Sequence, residues 1–341
     1  APTEIYTLSL HDALPICVIL MKQVMRYVEE ILVKHGYKEI MTPMVLNEEL
    51  WHKSGHWDHY RNNMYFVDID ESKYAIKPMN CPGCCLVYKN DMRSFRDLPV
   101  KFAEWGKVHR HEKKGVLSGL QRVRAFTQDD AHVFCLPNQL EGEIMDIMDM
   151  IHEIYTRFNF TYRMELSTRP EKSMGTEEMW ANAEGSLKQA LEKRNVNYKL
   201  NPGDGAFYGP KIDYHIKDCL GRDWQCATIQ VDMSMPEKFD LTYIDSDNKP
   251  HRPVMVHRAL LGSTERFISI LIEHFGGAFP LWLAPEQVRV MPISSDKHLD
   301  YAKEVCQKLL NAGIRATVTS RAESLNYEIR EAELQDRKSV V

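Results

Sequence analysis

In the stretch KPMNCPGCCLVY, residues 77–88, Cys81, Cys84 and Cys85 fall within five positions around a Pro-Gly pair. Thiols so spaced can exchange electrons as a dithiol, form half of a zinc knuckle, or supply one metal ligand beside two unrelated cysteines. A dithiol belongs at a helix N-terminus after a strand in a thioredoxin-like unit, whereas a hairpin within a larger mixed sheet is expected to precede this motif. A knuckle needs a second pair, and Cys135, Cys219, Cys226 and Cys306 form no second C-x-x-C. Histidines offer the remaining ligands. His132 in QDDAHVF and His257 in VMVHRAL have apolar strand contexts, where a histidine taken alone is more often a satisfied core residue. His52, His56 and His59 approach helical spacing, but Gly55, Trp57 and Asp58 predict a surface loop. His109 and His111 flank Arg110 on one strand face and are expected to be solvated.

Arginines supply a second kind of chemistry. Residues 107–130, KVHRHEKKGVLSGLQRVRAFTQDD, predict two strands joined by a flexible loop, with Arg110 closing the first and Arg122, Arg124 and Phe126 on the second. A guanidinium forks a phosphate and an aromatic ring stacks on a base, so with Glu112 these residues suit a nucleotide. The same residues on a solvated edge hairpin would bind nothing. Arg266 falls in the first turn of the helix predicted from STERF, where amide N–H groups already favour an anion. Neither a Walker loop nor a G-x-G-x-x-G is present.

These groups need elements to position them. Apolar spacing predicts a helix over residues 18–35, stopped by Gly36. YKEIMTPMVL predicts a strand closed by Pro43, and MYFVDIDESKYAIKPM a hairpin turning at Asp70-Glu71-Ser72. A helix is predicted over 138–159 with a capping-box start at Asn138 and Glu141, and another over 176–194. Strands follow in KIDYHIKD, WQCATIQVDM and PVMVHRAL, and a helix opens after Gly262-Ser263. Many strands with few crossover helices predict an α+β domain over residues 17–280, an antiparallel sheet flanked by helices. After the proline-punctuated FPLWLAP, residues 281–335 alternate strand and helix as a partial parallel α/β domain. The 341 residues, 44% hydrophobic and 27% charged with net charge −5, have the composition of a soluble globular protein. No run of about 18 apolar residues predicts a membrane span. Eight unevenly spread cysteines argue against a disulfide scaffold and for a reducing cytoplasm. The mildly acidic total neither names nor excludes a nucleic-acid partner.

HRHE…GLQRVRAFTQDDAHVFC resembles motif 2, and HRALLGSTERF motif 3, of the class II aminoacyl-tRNA synthetases. With KPMNCPG, SGHWDHY, FYGPKIDYHIKD and WQCATIQVD, the resemblance narrows to the threonine-specific family and covers about residues 18–335. It implies one zinc ion on Cys81, His132 and His257, with Cys84 and Cys85 as bystanders. Cys84 departs from the family pattern, which has histidine there. Threonine and valine are nearly isosteric, and an apolar pocket separates such a pair only about 100-fold. A three-ligand zinc has an open position for amine and hydroxyl, and valine has no hydroxyl to offer. By resemblance, Asp130 accepts from that hydroxyl while Gln128, Tyr208 and Gln230 complete the threonine contacts. Arg110 bridges the α-phosphate of ATP and the threonine carboxylate, Glu112 and Phe126 hold adenine, Gln225 and Thr228 lie along the nucleoside, and Arg266 meets the γ-phosphate. Arg122 is counted with the ATP contacts and, with Lys211, with those near the tRNA acceptor end. Mg²⁺ accompanies ATP; tRNA(Thr) is the partner, and the family implies a homodimer followed by an anticodon-binding-like domain. Strict alternation puts Gln225 and Gln230 on opposite strand faces, so a bulge must intervene if both line the site. The competing reading, a non-catalytic RNA-binding paralog, should have lost the zinc triad or the phosphate arginines, and all five residues are here.

The two ends carry a different expectation. Residues 5–16, IYTLSLHDALPI, and 336–341, DRKSVV, can be encoded by complementary strands of one sequencing-adapter oligonucleotide. Residues 1–16 and 336–341 are therefore expected to be non-native and poorly packed. Hydrogen exchange checks this: low protection is expected over 285–341 and high protection within 18–280. Residues 1–40 leave no room for a proofreading domain, so seryl-tRNA is expected to accumulate when the chain is supplied with serine, ATP and a competent tRNA. Rapid clearance of seryl-tRNA by the chain alone would contradict this.

Overall fold

In a computed structural model of the chain, the residues described are 15–321, 323–334 and 338–340. The expectations for residues 1–14, 335–337 and 341 lie outside them. The chain forms two compact units, Val28–Phe267 and residues 15–27 together with those from Ile268 onward.

The elements in order are α1 (Pro15–Lys34), β1 (Lys38–Glu39), β2 (Val45–Asn47), α2 (Glu48–Ser54), α3 (His56–Tyr60), β3 (Tyr65–Ile69), β4 (Ser72–Ile76), α4 (Cys81–Lys89), β5 (Val100–His109) and β6 (Ala125–Cys135). They continue as α5 (Leu140–Arg157), β7 (Tyr162–Ser167), α6 (Glu177–Lys193), β8 (Tyr198–Asn201), β9 (Lys211–Lys217), β10 (Asp223–Asp232), α7 (Ser234–Lys238), β11 (Tyr243–Ile244), β12 (Pro250–His251), β13 (Val254–Ala259) and α8 (Thr264–Phe275). Beyond these lie β14 (Val288–Val290), α9 (Ser295–Asn311), β15 (Ala316–Val318), α10 (Leu325–Leu334) and β16 (Lys338–Val340).

The first unit is built on an eight-stranded sheet in the order β1-β5-β6-β13-β10-β9-β7-β8. Its pairings are antiparallel from β5 through β7 and parallel only at the edges, β1 on β5 and β8 on β7. Helix α5 packs on β6, β13 and β10, and α6 on β10 and β9. The apolar stripe of α5 explains its place: Ile144, Ile147, Ile151, Ile154 and Tyr155 are all fully buried. A three-stranded sheet, β2-β4-β3, precedes α4, and its hairpin turns at Asp70 and Glu71, both at positive φ.

Several expectations are corrected. The strand expected to close at Pro43 is only the two residues of β1, and an irregular segment containing Pro43 leads on to β2. Helix α5 starts after Gln139, whose side chain accepts from the Leu136 N–H at 2.9 Å, and not at an Asn138 capping box. His52, His56 and His59 lie on α2 and α3 and not in a loop, with Gly55 at φ 80 between the two helices. Arg122 and Arg124 precede β6, which begins at Ala125. The N-terminus of α4 does follow a strand, as a dithiol site would require, but the small sheet behind it is antiparallel.

In the second unit β14 pairs parallel with β15 and with β16. Val290, Ala302, Cys306 and Ala316 form its small buried cluster.

The sheet is pinned from within by a buried ion pair. Arg258 on β13 donates to Asp129 on β6 at 2.7 Å, and the same carboxylate accepts from the Leu260 and Leu261 N–H groups. Removing one partner of such a pair leaves a buried charge uncompensated. Asp129→Ala is therefore expected to lower unfolding free energy by about 3–5 kcal/mol, measured by urea titration. A loss under 1 kcal/mol would mean that water reaches Arg258.

Candidate active site

A strand presents alternate side chains to one face, and on β6 that places Phe126, Gln128, Asp130 and His132 together. Across the sheet His132 pairs with His257 on β13, and His257 pairs with Gln230 on β10. The β9–β10 ladder shifts register between Gln225 and Thr228, with three steps on β10 opposing two on β9. This is the bulge that the two glutamines required, and it brings Gln225 to the face of Thr228 and Gln230. It also takes the Ala227 N–H out of the ladder; the Tyr155 hydroxyl on α5 accepts it at 2.9 Å.

Cys81, His132 and His257 come together as a buried cluster whose ligand atoms all lie within 4.8 Å of one another. The donor set, one thiol and two imidazoles, suits zinc with an open position. The His132 Nε2 is buried without a hydrogen-bond partner, an orphan that a metal would satisfy. Asp232 holds the His257 Nε2 at 2.9 Å, which leaves the other ring nitrogen as the metal-facing one. Burial pushes the Cys81 thiol well above its ordinary range and the His132 imidazole well below. The histidine is thus ready as a neutral ligand, while the thiol needs a bound cation to ionise. Cys84 and Cys85 are buried in the apolar cluster behind, with the Cys85 Sγ 3.9 Å from the Met255 Sδ. None of Cys81, Cys84 and Cys85 is in a disulfide.

The cluster opens into a cavity of about 390 Å³. Arg110, Glu112, Arg122, Phe126, Gln128, Asp130, Tyr208, Gln225, Thr228, Gln230 and Arg266 line it together with the three candidate ligands. Arg110 lies 5.0 Å from the Phe126 ring, and its Nε donates to the Pro78 carbonyl at 3.1 Å. Arg266 donates to the Gln121 and Gln225 carbonyls at 2.9 and 3.1 Å, so it ties the loop before β6 to the bulged strand. Arg122 donates to Glu112 at 3.2 Å. The Tyr208 hydroxyl donates to Gln230 at 2.7 Å, and the Gln128 Oε1 is buried with no partner.

Lys211 is the exception. It does not line the cavity; its ammonium is held by Asp213 at 2.6 Å and Asp204 at 3.3 Å. Asp213 lies two residues along β9, on the same face, so the pair forms locally.

The sequence reading put His56 in a surface loop and gave no role to three residues packed around the site, Asn80, Asp232 and Glu265. His56 is fully buried, with Nδ1 2.8 Å from the Ser54 hydroxyl and Nε2 3.9 Å from the Cys81 Sγ, and burial pushes it down to about 3. Asn80 donates to Asp130 at 2.9 Å. Asp232 backs His257, and the buried Glu265 accepts from the Thr127 N–H at 2.8 Å. Only Asp232, set between Val231 and Met233 where a carboxylate is rare, carried any signal.

Residues 65–275 match the family described as tRNA synthetase class II core domain (G, H, P, S and T), and 287–339 match an anticodon binding domain. The chain belongs to the class II tRNA synthetase core family. Its sequence is 60% identical over 300 residues to a threonine–tRNA ligase of Carboxydothermus hydrogenoformans, covering 88% of this chain and 47% of that protein. The threonine–tRNA ligase of Thermotoga maritima is 57% identical over 322 residues, 94% of this chain and 50% of the relative. The chain thus spans about half the length of the curated relatives it matches. A crystal structure of the RNA binding domain of threonyl-tRNA synthetase from Cryptosporidium parvum superposes with a TM-score of 0.93 at 42% identity, covering 96% of this chain and 83% of that one. Among the described residues no helix is long and apolar enough to cross a membrane.

Three substitutions test the metal cluster in this class II core. Asp232→Ala is expected to weaken zinc binding by about 10–100-fold, measured by chelator competition, and Cys84→Ala to leave it unchanged. Zinc lost from Cys84→Ala but retained in His132→Ala would return the site to a cysteine knuckle.

Proposed function

We propose that the chain is the catalytic part of a threonine–tRNA ligase, which activates L-threonine with ATP and transfers it to the 3′ end of tRNA(Thr). The observation that carries this reading is the Cys81–His132–His257 cluster opening into the same cavity as Arg110 and Arg266. A metal that reads a hydroxyl and guanidinium groups that read phosphate are needed together only if amino acid and nucleotide meet.

Zinc, when bound by Cys81, His132 and His257, supplies an open position able to take both an amine and a β-hydroxyl. Asp130 accepts from the hydroxyl, and burial pushes its carboxyl up to about 6 although the Asn80 amide opposes this. Gln128, Tyr208 and Gln230 surround the amino acid. Phe126 stacks on adenine with Glu112 accepting from it, while Gln225 and Thr228 follow the ribose. The threonine carboxylate attacks the α-phosphorus in line as the bond to the leaving pyrophosphate breaks; Mg²⁺ bound with ATP would offset the charge of that leaving group. Arg110 bridges the carboxylate and α-phosphate, and Arg266 holds the γ-phosphate end; both supply preorganised charge to a transition state that gains little from covalent help. Arg122, half exposed at the cavity rim, and Lys211 on β9 are the cations proposed for the tRNA acceptor end. The working form is a cytoplasmic homodimer.

Threonine-dependent exchange of pyrophosphate into ATP tests the proposal, and its absence from zinc-loaded protein would favour a non-catalytic RNA-binding role. Arg110→Ala and Arg266→Ala are each expected to lower exchange by two orders of magnitude or more, roughly 3 kcal/mol of transition-state stabilisation. Their thermal midpoints should stay close to that of the unsubstituted chain. Parallel losses of stability and exchange would reduce both arginines to structural ties.

A further inference from the structure

We propose that Asn80 is a positioning residue that aims Asp130 at the substrate hydroxyl, and that position 106 is glycine in order to seat it. This rests on the threonine reading above. Asn80 is the N-cap of α4, where an asparagine side chain ordinarily accepts from an N–H of the first turn. Its side chain makes no such bond. It crosses instead to β6, where Nδ2 donates to the Asp130 Oδ2 at 2.9 Å with both residues buried. The other carboxylate oxygen, Oδ1, lies 3.8 Å from the His132 Nε2, on the side of the metal cluster. One oxygen is thus held by the protein and the second is left for a ligand. The Asn80 Oδ1 has no partner, an unmet buried acceptor that folding alone gives no reason to keep.

Gly106 on β5 faces Gln128 across the ladder and is not among the residues with positive φ, so its backbone does not require glycine. Space does. A Cβ there would lie 2.2 Å from the Asn80 Nδ2, 2.3 Å from its Oδ1 and 2.4 Å from its Cγ. Any side chain at 106 would push the amide away from Asp130. Because Asn80 directly precedes Cys81, one short segment sets both a metal ligand and the carboxylate that reads the hydroxyl.

The test uses the zinc-loaded full chain with Asn80→Ala and Gly106→Ala, each alone and combined with Asp130→Ala. Calorimetry compares L-threonine with L-2-aminobutyrate, which lacks only the hydroxyl. Each single variant is expected to weaken threonine by about tenfold or more, leave aminobutyrate within about twofold, and retain its zinc. In pyrophosphate exchange the loss should appear in KM for threonine, with kcat little changed. On the Asp130→Ala background, neither variant should weaken threonine further. Equal losses for the two amino acids, full additivity with Asp130→Ala, or unchanged threonine affinity would each overturn the assignment. If the unsubstituted chain binds no threonine, the functional reading itself falls, and this proposal with it.

Discussion

A strand turns every second side chain to the same side, and in this sheet three neighbouring strands keep that alternation in register. His132, His257 and Gln230 form one row across β6, β13 and β10, while Phe126, Gln128 and Asp130 run along β6 from the same face. A slip of one residue in the β6–β13 ladder would put Arg258 where His257 belongs and carry that candidate ligand to the opposite side. The candidate metal ligands and the polar groups that line the cavity beside them therefore depend on one geometrical fact, the antiparallel pairing of these strands.

The opposite face keeps the register. Asp129 and Arg258 alternate with the site residues, and their buried ion pair joins β6 to β13, while Asp129 also fixes the Leu260–Leu261 backbone that leads into α8. Such a pair is costly to bury, but only one register satisfies it, so it serves specificity of pairing more than stability. The bulge in β10 is supported from the same side by the Tyr155 hydroxyl, which satisfies the displaced Ala227 amide. The apolar face of α5 and the polar contents of the cavity are thus linked through a single strand.

Much of the site was legible because chemistry-bearing residues are rare in apolar strand contexts. His132 and His257 stand among aliphatic residues, and the spacing of Gln225 and Gln230 demanded a bulge that the ladder contains. Lys211 meets Asp213 two residues along the same strand, a local pairing that strand alternation already made available. Gly55, Trp57 and Asp58 pointed to a surface loop around His56, but Gly55 at φ 80 joins two short helices and His56 is buried.

The sequence by itself determined the antiparallel α+β class, the strand faces and the identities of the groups able to bind metal and phosphate, because periodicity and residue chemistry are local properties. Which distant groups meet was decided by the tertiary structure. Cys81 reaches His132 and His257 only when α4 docks against the sheet, and Asn80 forgoes its local cap only because Asp130 lies within hydrogen-bond reach. Contacts across such separations depend on strand order, and strand order is settled by burying all faces at once.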